Sequence, residues 1–158
     1  MEITFSPTDL TPARFDLVWK QMERFRRWTI PDWKTQEDLE YEFQEPENLW
    51  FDVCDGGLIV GHVAFYPENR WSAIVHTLIY DRRTRTREKE WHQFCWEVLM
   101  ASSWQILRAI EDPDNRIAIA TLRRLGWSED GRIRAFAWVG GILKDVLLFT
   151  LVKEVPPS

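Results

Sequence analysis

Hydrophobic residues recur at helical spacing near the start of the chain. Thr11 followed by Pro12 is typical of a helix N-terminus, since threonine caps the first turn and proline fits its first position. The segment TQED, from Thr35 to Asp38, has the spacing of a capping box and predicts a short second helix that runs through Phe43. A short strand, Glu2 to Phe5, is expected before both. The apolar face of the first helix consists of Phe15, Val18, Trp19 and Met22.

The pattern then changes to the alternation that is typical of strands. Residues 49–54 (LWFDVC) alternate, the residues DGG predict a turn, and residues 58–66 form the second strand of a hairpin. Gly61 within this second strand indicates a bulge or a close backbone approach. Residues 71–80 (WSAIVHTLIY) predict a third strand, so this part of the chain is expected to be an antiparallel meander.

The second half of the chain returns to helical spacing twice. Residues 105–111 (QILRAIE) predict a buried strand between two helices, and residues 132–138 and 145–152 predict two final strands. For the helix after residue 111, we expect Asp112 as its cap, Pro113 in its first turn and Gly126 at its C-terminal end. The expected apolar faces are Trp91, Phe94, Cys95, Val98 and Leu99 for the earlier helix, and Ile117, Ala118, Thr121, Leu122 and Leu125 for the later one.

This order of elements predicts the fold class. The order is β-α-α-β-β-β-α-β-α-β-β, and the strand–helix–strand crossover over residues 72–110 requires two parallel neighbours in the sheet. We therefore expect an α/β (α+β) fold in which a mixed central sheet of about seven strands carries helices on both faces. The length of 158 residues and the lack of a linker or repeat predict a single domain, residues 1–158.

Composition and charge restrict the classes of function. The formal net charge of -5 disfavours a dedicated nucleic-acid-binding protein. Glu2 and Asp9 interrupt any apolar run that could serve as a secretory leader, and no segment is apolar enough to span a membrane. We expect a soluble, cytoplasmic protein. The charge is uneven, because acids cluster between Glu37 and Glu47 while residues 81–89 (DRRTRTREK) concentrate the bases.

Three motifs in the last third of the chain carry a resemblance to a known family. Asn115, Ala118, Leu122, Gly126 and Trp127 have the spacing Asn-x-x-small-x-x-x-Leu-x-x-x-Gly-aromatic. The segment EDGRIR follows with Glu129, Gly131 and Arg134, and then GILKD with Gly141 and Asp145. Together with the element order, these motifs resemble the GNAT superfamily of acetyl-CoA-dependent N-acetyltransferases, and within it the branch that acetylates the N-termini of ribosomal proteins.

The resemblance implies where a cofactor would bind. In such enzymes the asparagine contacts the pantetheine arm of acetyl-CoA, which enters where two parallel strands separate. Asn115 would contact this arm and Ala118 would leave room for it. Backbone amides at Leu78, Ile79 and Tyr80 would polarise the thioester carbonyl. Acetyl-CoA is then the co-substrate, and no metal is implied.

The segment that corresponds to the pyrophosphate loop departs from the family pattern. GNAT enzymes place Arg/Gln-x-x-Gly-x-Gly/Ala here, because backbone amides must approach the pyrophosphate at a helix N-terminus. The sequence DRRTRTREKEW contains arginines and no glycine. We expect guanidinium groups to hold the phosphate oxygens instead. The residues proposed for this contact are Arg82, Arg83, Arg85, Thr86 and Arg87.

The candidates for the catalytic base lie in the meander. Many superfamily members use a tyrosine as the catalytic acid, and the resemblance places that tyrosine at position 122. Leu122 occupies this position here, and the ribosomal-protein branch lacks the tyrosine as well. His76 is the first candidate for the base, because the ordinary pKa of histidine suits proton transfer near neutral pH. Glu68 is the second. Asp81 and His62 are weaker candidates.

Three functions remain open from the sequence. The first is an acetyl-CoA-dependent N-acetyltransferase for a primary amine, either a protein N-terminus or a small amine. The second is a non-catalytic interaction or assembly protein on a GNAT-like scaffold, as in some bacteriophage proteins, which the altered loop also suits. The third, a nucleic-acid-binding module that uses residues 82–89 and Trp91, fits the acidic composition poorly. Two exposed edge strands at the C-terminus suggest a homodimer.

Overall fold

The structure of the protein is a computed structural model that describes residues 3–25, 35–81, 86–139 and 142–153. Within these ranges the chain forms seven strands and four helices in the order predicted from the sequence. The elements are β1 (Ile3–Pro7), α1 (Pro12–Phe25), α2 (Gln36–Gln44), β2 (Leu49–Asp55), β3 (Leu58–Asn69), β4 (Ser72–Ile79), α3 (Glu88–Ala101), β5 (Ile106–Glu111), α4 (Arg116–Arg124), β6 (Ser128–Val139) and β7 (Ile142–Val152).

The strands form one mixed sheet in the order β1-β2-β3-β4-β5-β7-β6. β4 and β5 are parallel, as the crossover required, and the other neighbours are antiparallel. The α+β fold with a mixed seven-stranded sheet is therefore confirmed. The expectation of two exposed edge strands at the C-terminus is wrong, because β7 lies between β5 and β6 and only β6 is at that edge.

Helices cover both faces of the sheet and divide the core in two. On one face, α3 and α4 pack on the central strands through a cluster that includes Trp91, Leu99 and Ile119. On the other face, α1 and α2 contribute Val18 and Phe43 to a smaller cluster. We call these the α3/α4 face and the α1/α2 face. None of the helices in the described ranges has the length and apolar character needed to cross a bilayer.

The caps predicted for the first two helices are present. The Arg14 amide donates to the Thr11 hydroxyl at 3.4 Å, before the first full turn of α1. At α2, the Asp38 amide donates to Thr35 Oγ1 at 3.2 Å, and the Thr35 amide donates to the Asp38 carboxylate at 2.8 Å. These reciprocal bonds satisfy amides that have no partner inside the helix, which explains why α2 begins where it does.

Gly61 in β3 is both at a bulge and at a close backbone approach, as predicted. The β2–β3 register shifts between Val53 and Cys54, which leaves Val60 as the extra residue on β3. A Cβ atom on Gly61 would lie 2.4 Å from the Leu78 carbonyl oxygen and 2.6 Å from Trp91 Cη2. The absence of a side chain therefore allows β3, β4 and α3 to pack together at this point.

Candidate functional site

The parallel strands β4 and β5 separate after a short paired stretch. They pair at Ser72–Ile106, Ala73–Leu107 and Ile74–Arg108, and no pairing joins the remaining described residues of the two strands. β4 stays paired with β3 as far as Ile79, while β5 stays paired with β7 as far as Glu111. Each strand is thus held by its outer neighbour, and a wedge-shaped gap opens between them.

Backbone groups line the β4 side of this gap. The Tyr80 amide donates to the Val60 carbonyl on β3 at 2.8 Å. Because successive residues of a strand direct their amides to opposite neighbours, the Ile79 amide is directed to the gap. Of the three amides proposed to polarise a carbonyl, those at Leu78 and Tyr80 belong to the β3 side by this alternation, and Ile79 is the one in position.

The side chains of β4 alternate between the two faces beside the gap. Ala73, Val75 and Ile79 pack in the cluster on the α3/α4 face. Leu78 is buried on the α1/α2 face, with Tyr80 packed against the same cluster. His76, two residues before Leu78, shares that face by the strand alternation. The gap is therefore a passage from the α3/α4 face to the residues that the sequence analysis proposed for chemistry.

Asn115 stands at the start of α4, on the β5 side of the gap. Its Oδ1 atom accepts from the Ala118 amide at 3.4 Å, so Asn115 is the N-cap. Its Nδ2 atom donates to Glu111 Oε2 at 3.1 Å. The carboxamide proposed to contact a cofactor thus lies between the end of β5 and the first turn of α4, and Ala118 is directly behind it.

The predicted cap of α4 is wrong. Asp112 Oδ1 accepts from the Asp114 amide at 2.8 Å, and Lys144 Nζ donates to Asp112 Oδ2 at 2.7 Å. Asp112 and Pro113 therefore form a turn before the helix, which begins later, at Arg116.

The predicted inner face of α4 is also wrong at one position. Ile117 is 64% exposed, whereas Ile119 is 6% exposed and belongs to the core. Leu122 and Leu125, both in the predicted face, do pack against that core. The buried stripe therefore runs through Ile119 rather than through Ile117.

Glu111 is a residue at the gap that sequence reasoning missed. It is the last residue of β5 and lies partly buried. Burial raises the pKa of its carboxyl group to about 7, the hydrogen bond from Asn115 opposes this, and the neighbouring charge of Asp112 adds to the increase. Continued in register, β4 and β5 would place Thr77 opposite Glu111, so this residue lies beside the gap. The sequence could have singled out Glu111 by its position at the end of a predicted strand, four residues before Asn115.

The N-terminus of α3 is the expected phosphate site, and it is rich in ion pairs. Arg82, Arg83 and Arg85 lie outside the described residues. Arg87 is the N-cap residue of α3, and its Nε atom lies 2.5 Å from Glu90 Oε1. Thr86, directly before it, is exposed.

The acids in the first turn of α3 each have an arginine partner. Arg124 of α4 binds Glu88 through two hydrogen bonds of 2.6 Å, and these bonds lower the pKa of the Glu88 carboxyl group. The hydrogen bond from Arg87 likewise lowers the pKa of Glu90. These ion pairs balance the charges of Glu88 and Glu90, and Lys89 adds a positive charge to the same turn.

The candidate bases occupy different environments. Burial lowers the pKa of His76 to about 4, so the ring is neutral near pH 7 but binds a proton weakly. Glu68 Oε2 accepts from Arg108 Nη1 at 2.7 Å and from the Ser72 hydroxyl at 2.9 Å, beside the paired part of β4 and β5. The structure thus keeps Glu68 in an ion pair outside the open part of the gap.

The weaker candidates His62 and Asp81 lie near the end of β4. His62 is fully buried and its Nδ1 atom forms a short hydrogen bond with the Tyr80 hydroxyl, so these two predicted residues are brought together. The Asp81 amide shares the Val60 carbonyl with Tyr80, at 3.3 Å. In the described ranges, no group of three or more His, Cys, Asp or Glu side chains is placed to hold a metal ion.

Comparison with known proteins places this geometry in a known fold. The chain matches no protein-family model and no curated protein sequence. It is similar in structure to RimL, a ribosomal L7/L12 alpha-N-protein acetyltransferase in complex with coenzyme A, with 15% identity, a TM-score of 0.76, and coverage of 95% of this chain and 93% of that chain.

Two further structures show the same likeness. RimJ of Mycobacterium smegmatis, in complex with CoA-disulfide, is 17% identical with a TM-score of 0.76, over 99% of this chain and 85% of that chain. The spermidine/spermine N-acetyltransferase SpeG of Vibrio cholerae is 14% identical with a TM-score of 0.73, over 95% and 93%. The expected GNAT-like fold is confirmed. Ribosomal-protein and polyamine acetyltransferases share it equally well, so the fold does not select an acceptor.

Proposed function

We propose that this protein is an acetyl-CoA-dependent N-acetyltransferase that acts on a primary amine. The observation that carries the proposal is the gap between β4 and β5, which leaves backbone groups on its inner walls without strand partners. Such groups favour a ligand that offers matching amides, as a pantetheine arm does. The solved structures of RimL and RimJ, which share the fold, contain coenzyme A or its disulfide.

The residues around the gap fit such a ligand. The Ile79 amide and the Asn115 carboxamide face it from its two walls, and Ala118 adds no bulk beyond a methyl group at the first turn of α4. The bond from the Ala118 amide to Asn115 Oδ1 is long at 3.4 Å, so this oxygen has capacity for a second donor. Arg82, Arg83, Arg85, Thr86 and Arg87, before α3, would hold the phosphates.

The chemistry that the chain must supply is limited. Acetyl-CoA brings the activated acyl group, and the protein must orient an amine, stabilise the carbonyl oxygen and accept a proton. The Ile79 amide, directed into the gap, is the donor for the oxygen. His76 is beside the gap, but its pKa of about 4 makes it a weak proton acceptor for an amine. Glu68 forms an ion pair with Arg108, outside the open part of the gap.

The acceptor we propose is a protein N-terminus or a small cationic amine. Both classes are represented among the proteins with this fold, as RimL and SpeG illustrate. α2 supports a cationic substrate because Glu37 and Asp38 lie exposed in its first turn, on the face of the sheet that the gap opens to.

Calorimetric titration with acetyl-CoA tests the proposal. The wild-type chain should bind, whereas Asn115→Trp should bind at least about tenfold more weakly, a difference of about 1.4 kcal/mol, because the indole would fill the gap beside Ala118. Asn115→Ser is the matched variant, since serine keeps a capping oxygen for α4 but lacks the carboxamide. An equal loss of acetyl-CoA affinity in both variants would indicate that the Asn115 carboxamide itself makes the contact. Wild-type affinity in both would contradict a site at the start of α4.

A second pair of variants tests the phosphate contact. Arg83→Ala with Arg85→Ala should weaken binding by about tenfold or more, because hydrogen bonds between charged groups contribute about 1.5–3 kcal/mol each. Arg123→Ala with Arg132→Ala, two exposed residues, is the control for an equal loss of charge.

The non-catalytic interaction protein is the alternative function, and the glycine-free sequence before α3 favours it. No heat of binding at millimolar acetyl-CoA would eliminate the transferase and leave this alternative. Unchanged acetyl-CoA affinity in the variant with Arg83→Ala and Arg85→Ala would contradict a phosphate contact in this segment.

A further inference from the structure

A chain of buried polar side chains crosses three strands on the α1/α2 face. Asp52 of β2 lies directly opposite His62 of β3 in the sheet register, and Asp52 Oδ1 is 2.9 Å from His62 Nε2. The other ring nitrogen, Nδ1, forms a short hydrogen bond with the hydroxyl group of Tyr80, just after β4. The contacts described for the gap use none of these groups except the Tyr80 backbone.

The inner end of this chain is fully enclosed and charged. His62 is completely buried, and Asp52 is 5% exposed. The Thr8 hydroxyl donates to Asp52 Oδ1 at 2.9 Å, and Arg14 of α1 lies 3.1 Å from Oδ2. Burial works to raise the pKa of Asp52, but the hydrogen bonds from His62 and Thr8, with the charge of Arg14, hold it below its ordinary value. Asp52 is therefore a carboxylate at neutral pH.

These contacts determine where the protons lie. A carboxylate only accepts hydrogen bonds, so the 2.9 Å contact with Asp52 favours the His62 tautomer that carries its proton on Nε2. In the neutral ring Nδ1 is then the acceptor, and the Tyr80 hydroxyl donates to it. The arrangement has the logic of a catalytic triad, in which a carboxylate orients a histidine that can accept the proton of a hydroxyl group.

Tyr80 connects this buried chain to the gap. It follows Ile79, the last residue of β4, where β4 no longer has β5 as a neighbour. Its residue is partly buried, unlike His62, so it forms the outer end of the chain. A group that passes through the gap from the α3/α4 face emerges on the face where the phenol lies.

We propose that Asp52, His62 and Tyr80 form the proton relay of the acyl transfer. This inference rests on the proposed function. As the neutral amine attacks the thioester carbonyl, its nitrogen gives a proton to the Tyr80 oxygen while the phenolic proton passes to His62 Nδ1. Asp52 stabilises the resulting imidazolium ion. When the C–S bond breaks, the proton returns through Tyr80 to the thiolate sulfur, so the relay ends in its starting protonation state.

The relay supplies the proton acceptor for which His76 and Glu68 are poorly suited. His76 has a pKa of about 4 and binds a proton weakly, whereas the Asp52 carboxylate lies 2.9 Å from His62 Nε2. In the described ranges, Asp52 of β2 and Tyr80, just after β4, contact His62, and Arg14 of α1 contacts Asp52. Burial, together with the charge of Asp52, raises the pKa of the nearby Cys54.

The test compares Tyr80→Phe and His62→Gln with a matched control. Tyr66→Phe is this control, because Tyr66 is a buried phenol in the same cluster and its hydroxyl has no hydrogen-bond partner in the described part of the chain. Transfer from acetyl-CoA is followed as thiol release, with spermidine and with a short peptide that has a free N-terminus. Thermal unfolding and acetyl-CoA titration establish that each variant is folded and binds the donor.

We expect kcat to fall about 100-fold or more in Tyr80→Phe and His62→Gln, with the KM for acetyl-CoA little changed, as general acid–base catalysis contributes about 10²–10⁴-fold. In mixtures of H₂O and D₂O, the wild-type rate should show two protons in transfer, and Tyr80→Phe should lose this curvature. Loss of a purely structural bond would not change the number of protons in transfer.

Two results would overturn the inference, and they differ. If Tyr80→Phe retains the wild-type rate and isotope effect while the wild type acetylates either amine, the relay is wrong and the transferase stands. If the wild type binds acetyl-CoA but acetylates neither amine, both the relay and the transferase assignment fail. Tyr80→Phe removes a single hydroxyl group, so the test holds even if His62→Gln fails to fold.

Discussion

Replacing Gly61 by alanine tests whether one close contact sets the geometry of the gap. The added Cβ atom would lie 2.4 Å from the Leu78 carbonyl oxygen, whereas ordinary contact begins near 3.4 Å. The backbones of β3 and β4 must therefore move apart by about 1 Å, because the oxygen belongs to a paired strand and cannot rotate away. Trp91, at 2.6 Å, is buried and has little space to withdraw.

The expected loss of stability follows from this displacement. Overpacking a core generally costs about 1–3 kcal/mol, and we expect the upper end, about 3 kcal/mol, because a backbone atom is involved. For a domain of this size, that loss lowers Tm by about 6–12 °C. Since Gly61 pairs with Ile79, the shift also moves the amide proposed to polarise the acyl carbonyl, and acetyl-CoA affinity should fall with stability.

Urea unfolding of Gly61→Ala and Gly57→Ala provides the measurement and its control. Gly57 lies in the β2–β3 turn with φ of +85° and no atom within 4 Å of an added Cβ, so alanine there introduces only backbone strain, about 1 kcal/mol. The free energy of unfolding should therefore fall roughly three times further at Gly61 than at Gly57. Equal losses for the two variants would refute the close contact as the cause.

Further predictions concern the ends of α3 and β5. Lys153→Met should lower the free energy of unfolding by about 1 kcal/mol, because Lys153 Nζ donates to the carbonyls of Leu99, Met100 and Ser102 at the C-terminus of α3. Lys89→Met, at the other end of this helix, is the control and should change this free energy little. Urea unfolding of both variants provides the measurement. Glu111 has a folded pKa of about 7, above its ordinary value, so its contribution to stability is complete below about pH 4.5 and is lost as the pH rises through 7. In Glu111→Gln, this loss of at most about 3 kcal/mol should be absent when the free energy of unfolding is measured against pH. The same pH dependence in the variant and the wild type would contradict the burial of an ionising carboxyl group.

The order and type of the elements could be predicted from the sequence because they depend on local physics. The face of α3 was read correctly from Trp91, Cys95 and Leu99, since a helix that packs on a sheet must repeat its apolar residues at helical spacing. The capping box from Thr35 to Asp38 also depends only on neighbouring residues. Gly61 could be singled out because a glycine inside a strand has few other uses.

Local competition explains where the predictions failed. Asp112 and Asn115 are both good caps, and the choice between them depends on Lys144, which comes from β7 and holds Asp112 in the preceding turn. The burial of Ile119 instead of Ile117 depends likewise on how α4 lies against the core. The edge strand was misplaced because β7 inserts beside β5, a long-range pairing that no local pattern specifies.

The sequence by itself determined the elements and the parallel crossover, because periodicity, capping and chain connectivity act over short distances. Tertiary structure alone decided how far β4 and β5 stay paired, since each is held by a different outer neighbour. It also decided that Asp52, His62 and Tyr80 come into contact in one row, because their contacts depend on the register of three strands. Registers of this kind result from the packing of the whole sheet.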